Sequence, residues 1–173
     1  MSQTNELEIM ERIALDLEGV EESLASSFNT GAEDFNALIR PLSAAGGKRL
    51  RAQLCLLIAN AGTSVERQRI RIAEAVEMLH LATLIHDDVL DQAEIRRGEE
   101  TIHMHKGNKV AILSGDYLFA KAFQIVSEMP NMKYLQVFSH IITCLVEGEF
   151  MQMEDVYRID QGIERYMTKT QKK

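Results

Sequence analysis

The stretch "LHLATLIHDDVLDQAEIRRGEE", residues 79–100, sets three aspartates and two arginines at the end of an apolar, helix-spaced run. On a helix, residues three, four and seven apart share a face. His80, Thr83, Leu84, Asp87 and Asp91 therefore form one stripe with Asp88 beside it. Two carboxylates one turn apart repel unless a cation offsets them, and acids near a helix carboxyl end also oppose the macrodipole. A solvated acidic helix end is the bland alternative, but "MLHLATLI" just before it is too apolar for an exposed face. Hard oxygen ligands in this arrangement suit magnesium, which takes one or two protein carboxylates and completes its shell with substrate phosphates. Arg96 and Arg97 follow closely, and the planar guanidinium fork matches phosphate oxygens.

Working outward, apolar residues keep recurring at three- and four-residue spacing, and only Pro41 and Pro130 interrupt as prolines. The pattern predicts an all-α chain with helices over about 4–27, 32–45, 48–61, 65–91, 106–129, 132–158 and from 160 onward. Turns are expected at "NTGAED", "AAGGK", "NAGTSV", "IRRGEETIHMHKG" and "EMPNM". No linker or repeat divides residues 1–173, so one domain is expected. "QGIERYMTKTQKK" starts a helix and stops without cap or breaker; a chain cut in mid-element and a frayed basic terminus both fit.

A formal charge of −7 argues against nucleic acid as a partner, so any anion site must be local. Cys55 and Cys144 lie in apolar helical pattern and read as small core residues. The acidic amphipathic start does not read as a signal peptide, and no stretch is expected to span a bilayer; the default location is the cytoplasm.

A second basic site lies in "AAGGKRLRAQLCLL", where a glycine turn leads into Lys48, Arg49 and Arg51 at the expected start of a helix. Cations there work against the dipole, so a bound anion is the natural compensation, and the helix's free amides would assist. The spacing is not that of a nucleotide-binding P-loop. Solvated basic residues beside a glycine turn are the alternative.

Taken together, "GGKRLR", "LHLATLIHDDVLD", "RRG" and "LSGDYLFAKAF" resemble the trans-prenyl diphosphate synthase family over most of the chain, with medium- and long-chain members such as heptaprenyl diphosphate synthase catalytic subunits as the pattern. The resemblance implies a fold of the isoprenoid synthase type, an antiparallel helical bundle around a central cavity. It also implies a Mg2+-dependent reaction. An allylic prenyl diphosphate is ionised, isopentenyl diphosphate attacks the cation, and proton loss leaves an all-trans product longer by five carbons. Carried over by position, Asp87 and Asp91 would face magnesium, Asp88 would support them, and Arg96 would grip the allylic diphosphate. Lys48, Arg51, His80 and Arg97 would hold isopentenyl diphosphate. A homodimer, or a heterodimer with a regulatory subunit, is implied, with a lipid product that brings the enzyme near membranes. His86 reads as structural, and His103 and His105 as loop residues rather than a zinc site.

The family also carries a second aspartate-rich motif and a Lys-Thr pair before it. Nothing after Asp91 reads DDxxD, so the chain is expected to be the amino-terminal part of a synthase and a poor catalyst alone. Counting from Tyr166, the pair's lysine falls at Lys173 rather than Lys169, and Gln152 matches a cavity-lining glutamine of relatives. Short-chain members place an aromatic floor four or five positions before the first aspartate, where this chain has Thr83 and Ala82. A medium- to long product of hexaprenyl to octaprenyl size is therefore expected, with Phe119 or Phe123 as a deeper stop. A class I terpene cyclase shares the aspartates but has no use for GGKRLR. A non-catalytic partner subunit would suit the missing second motif but not the intact first one.

Overall fold

A computed structural model describes residues 3–28, 33–44, 47–62 and 64–173. Among the described residues the chain is all-α apart from one minimal hairpin. In chain order these are α1 (Gln3–Ser27), α2 (Glu33–Ala44), α3 (Leu50–Asn60), α4 (Glu66–Leu90), the strands β1 (Ile95–Arg96) and β2 (Glu99–Glu100), α5 (Ile102–Lys106), α6 (Asn108–Ser127), α7 (Met132–Glu154) and α8 (Ile163–Lys172). The residues form two units, Met1–Glu128 and Met129–Lys173. The turn expected at "NTGAED" falls largely, and that at "AAGGK" partly, outside the described residues.

In the first unit α4 is the central element, packed on α1, α3 and α6. Its spacing explains why. Ala75, Met78, Leu81, Ala82, Ile85 and Asp88 are buried on one side, while His80, Thr83, Leu84 and Asp87 remain half-open and Asp91 is exposed. α6 contributes Ala111, Ser114, Leu118, Ala122 and Ile125 to the core. By length and composition alone α6 is long and apolar enough to cross a membrane, which corrects the expectation that no such stretch exists. Its apolar face is the one it packs in the core against α4.

Three polar ties, each with at least one buried partner, hold α1. Arg69 of α4 binds Asp16 through both Nε and Nη2, at 2.6 and 2.8 Å. Glu74, without solvent exposure, accepts from Ser23, Ser27 and Arg71 at 2.6–2.7 Å. Arg49 joins Glu21 and Glu77. A buried carboxylate persists only with such partners.

The "IRRGEETIHMHKG" segment is more ordered than a turn. Arg97 and Gly98 both have positive φ, 54° and 89°, the pairing required by a two-residue type I′ hairpin. Ile95 pairs with Glu100 and Arg96 with Glu99. α5 then precedes Gly107, whose φ of 83° separates it from α6, so the helix expected from about 106 begins at Asn108. His103 and His105 lie on α5 rather than in a loop.

In the second unit, the Asn131 side chain caps α7 by accepting from the Lys133 amide at 2.9 Å. α7 ends earlier than expected, at Glu154. Asp155, its buried C-cap, binds Arg165 at 2.6 Å and Lys169 at 3.1 Å, fastening α8 alongside.

Candidate diphosphate and metal site

The GGKRLR segment is built differently from a plain helix start. Lys48 and Arg49 precede α3, and Arg49 is its N-cap in the left-handed region, at φ 46° and ψ 36°. Arg49 turns inward, only 8% exposed, and makes two bonds to Glu21 at 2.6 and 3.0 Å; the first of these raises its already high pKa further. The anion expected at this helix start is partly internal, because Glu77 accepts the Ala52 amide at 3.0 Å. Lys48 and Arg51 stay exposed on either side of Arg49.

Arg51 points at α4, where its Nη1 lies 3.1 Å from Nε2 of His80. A guanidinium only donates, so Nε2 accepts and the imidazole is neutral with its proton on Nδ1. The His80 pKa is lowered first by burial and next by the Arg51 charge, with Arg97 and Arg96 adding to the effect. The hairpin explains how Arg97 reaches this place. Its guanidinium lies over Gly47, so close that a Cβ there would stand 3.2 Å from Nη2. Of the four residues assigned from three separate segments to one anion, Arg51 meets His80 and Arg97 lies over Gly47, while Lys48 is exposed next to Gly47 in the chain.

The aspartates divide. Asp87 and Asp91 are on the more open side of α4, with the Asp91 amide donating to the Asp87 carbonyl at 2.8 Å. Asp88 is buried and accepts from Arg96 Nε at 2.7 Å. The arginine expected to hold a diphosphate thus also locks the hairpin onto the aspartate helix. Among the described residues no group of three or more His, Cys, Asp or Glu gathers as a metal cage. The carboxylates of half-buried Asp87 and exposed Asp91 are still a donor set that magnesium accepts when phosphate oxygens supply the rest.

His86 lies half-buried between α4 and α6. Its Nε2 is 3.2 Å from the Ile112 carbonyl, its ring is 5.4 Å from that of Phe119, and a Cβ on Gly115 would meet it at 2.3 Å. Ala82 has no exposed surface, whereas half-buried Thr83 lies on the stripe of Asp87 and donates to the His80 carbonyl. In the second unit, Lys169 is engaged by Asp155 and Gln161, while Lys173 reaches Gln152 at 2.8 Å and also Glu149.

Residues 32–173 match the polyprenyl synthetase family model. The chain belongs to this family. Octaprenyl diphosphate synthase of Escherichia coli is 34% identical over 92% of the chain and 49% of its own length. Heptaprenyl diphosphate synthase component 2 of Geobacillus stearothermophilus is 37% identical over 91% and 49%. Among solved structures, a polyprenyl synthase from Caulobacter crescentus, complexed with calcium and isoprenyl diphosphate, superposes with a TM-score of 0.87 at 32% identity, over 93% of this chain and 50% of that one. Heptaprenyl diphosphate synthase of Staphylococcus aureus gives 0.88 at 28% identity, over 92% and 51%. The chain spans about half the length of these relatives, and its all-α fold is that of the isoprenoid synthases.

Sequence reasoning missed Glu21, Glu77 and the inward turn of Arg49. Glu77 carried a signal, an acid on the α4 face that also presents Met78, Leu81 and Ile85.

Proposed function

We propose that this chain supplies the isopentenyl diphosphate pocket and the first aspartate motif of a polyprenyl diphosphate synthase, a prenyltransferase that lengthens an allylic diphosphate. The observation that carries the reading is the meeting of Arg51 with His80 at 3.1 Å while Arg97 lies over Gly47. A terpene cyclase, with one substrate, has no need of this second basic site.

In the proposed reaction the allylic C–O bond breaks and the diphosphate leaves with the electron pair. The double bond of isopentenyl diphosphate forms the new C–C bond, and a proton passes from the adjoining carbon to the departed diphosphate, the base that the reaction itself supplies. Lys48, Arg51 and Arg97 hold the diphosphate of the attacking substrate, with neutral His80 donating from Nδ1, its cation disfavoured by partial burial and by the Arg51 charge. Arg96, steadied by Asp88, offers its outer guanidinium edge to the leaving group. Magnesium would be held by Asp87 and Asp91 and would stabilise the negative charge of the departing diphosphate. The Caulobacter relative's calcium and isoprenyl diphosphate support this assignment.

The relatives named for octaprenyl and heptaprenyl products support a medium- to long-chain product, and Thr83 on the open stripe, with no aromatic ring, supports passage of the growing chain beneath Asp87. The name "component 2" of the Geobacillus relative supports assembly with a second, different subunit; a homodimer is the alternative. We place the reaction in the cytoplasm, with its lipid product bringing the enzyme near membranes. Lys173, which lies beside Gln152 in the second unit, is proposed as a substrate-binding residue.

A steady-state assay with magnesium, an allylic diphosphate and isopentenyl diphosphate tests the reading. A polypeptide continuing these residues through a second aspartate-rich motif should elongate, and Asp87→Ala should reduce turnover by about a thousandfold. The 173-residue chain alone should bind but not turn over. Elongation undiminished by Asp87→Ala would refute the assignment.

A further inference from the structure

We propose that Glu21 of α1 is a positioning residue for the diphosphate-binding loop: with Glu77 of α4 it clamps Arg49 from two sides and thereby aims Lys48 and Arg51. The inference deepens the prenyltransferase reading and rests on it for the identity of the anion. Glu21 lies ahead of residue 32, where the family match begins, so nothing in that match assigns it a role.

Arg49 adopts a left-handed backbone, uncommon for a residue with a Cβ. Two carboxylates hold its side chain in place. Glu21 takes Nε at 2.6 Å and Nη2 at 3.0 Å in a fork-to-fork pair, and Glu77 stands 3.5 Å from Nη1. Glu77 also accepts the Ala52 amide at 3.0 Å, so one buried carboxylate ties the arginine and the first turn of α3 together. The Lys48 carbonyl accepts from Gln53 at 2.6 Å, closing the turn behind it. Because Lys48 and Arg51 flank Arg49 in the chain, rotating its backbone out of the left-handed region would redirect both.

Arg49 itself is unsuited to substrate. It is buried, and two carboxylates already surround it, a setting that repels diphosphate. The two carboxylates differ in consequence. Glu77 is buried and carries the fold, whereas Glu21 is half-open, so its removal leaves Arg49 neutralised by Glu77 while freeing the outer side of the clamp.

The test follows, by NMR titration in the 173-residue chain, the His80 imidazole, whose pKa is lowered first by burial and next by the Arg51 charge, a part that lasts only while Arg51 is held beside it. Glu21→Ala and the gentler Glu21→Gln should both move the His80 midpoint up toward its ordinary value of about 6.5. Ser23→Ala, which loosens α1 at Glu74 instead, should leave it in place. In a turnover-competent polypeptide, Glu21→Gln should raise KM for isopentenyl diphosphate about tenfold with kcat within about twofold. An unmoved His80 midpoint in both Glu21 variants, or an equal shift in Ser23→Ala, would overturn the clamp. If the unmodified chain fails to bind isopentenyl diphosphate, the prenyltransferase reading fails, while the His80 titration still decides the clamp.

Discussion

The guanidinium of Arg97 lies over the bare Cα of Gly47, joining the RRG hairpin to the GGKRLR loop. Two motifs far apart in the chain share one electrostatic neighbourhood because a positive-φ turn swings the arginine across and a glycine leaves room for it.

Gly47→Ala should therefore act on binding more than on folding. Its Cβ would stand 3.2 Å from Nη2 and 3.3 Å from Nη1, both at the far end of a flexible side chain that can yield. Calorimetric titration with inorganic pyrophosphate should show affinity several-fold lower, while the thermal midpoint moves little. A large loss of stability with unchanged affinity would contradict the placement of Arg97.

His80 gives the chain a pH dependence of defined sign. Burial, then Arg51, holds its folded pKa below the ordinary value, so between the two values the unfolded chain binds more protons. This contribution to stability is fully present above about pH 6.5 and is lost as pH falls through the folded value. Urea unfolding at about pH 7.5 and about pH 5.5 should show a smaller difference for His80→Gln than for the unmodified chain. A larger difference in the variant would reverse the assignment.

Asp88 is buried and Arg96 about one-third exposed, so their bond is shielded on one side only. Arg96→Ala should cost about 1–3 kcal/mol, chiefly because a buried carboxylate loses its partner, and Asp88→Asn should cost less. Urea denaturation of both variants and of the pair tests this; additive losses would show that the two side chains are not coupled.

Product length should respond to Thr83 and Ala82 in different ways. A ring at Thr83 lies on the open stripe below Asp87 and should shorten the product to about fifteen or twenty carbons, since one ring fills roughly the room of an isoprene unit. Ala82 has no exposed surface, so Ala82→Phe must displace packed neighbours and should cost about 1–3 kcal/mol whatever it does to the product. Chromatography of hydrolysed products from a turnover-competent polypeptide checks the first expectation. An unchanged chain length in Thr83→Phe would remove it from the wall of the growing chain.

Much of this was readable before the structure because it is local. The His80–Thr83–Asp87–Asp91 stripe follows from helical spacing alone, and α4 displays it with its apolar residues turned inward. The hairpin was harder to see, since Arg97-Gly98 is not the usual Asn-Gly signal and its strands are two residues each. Arg49 reads in the sequence as one of three cations facing a bound anion, whereas its burial depends on Glu21 and Glu77, whose nearness to it is a fact of packing rather than of spacing. Gly115 similarly looked like part of a motif, and only the His86 ring beside it shows why a side chain there would not fit.

The most direct measurement is calorimetric titration of the 173-residue chain with isopentenyl diphosphate at low and moderate salt. Binding at a single site is expected, weakening as salt rises and falling at least about tenfold in Lys48→Ala and in Arg51→Ala, each of which removes a charge-assisted contact. No binding by the unmodified chain, or affinity undiminished in either variant, would contradict it.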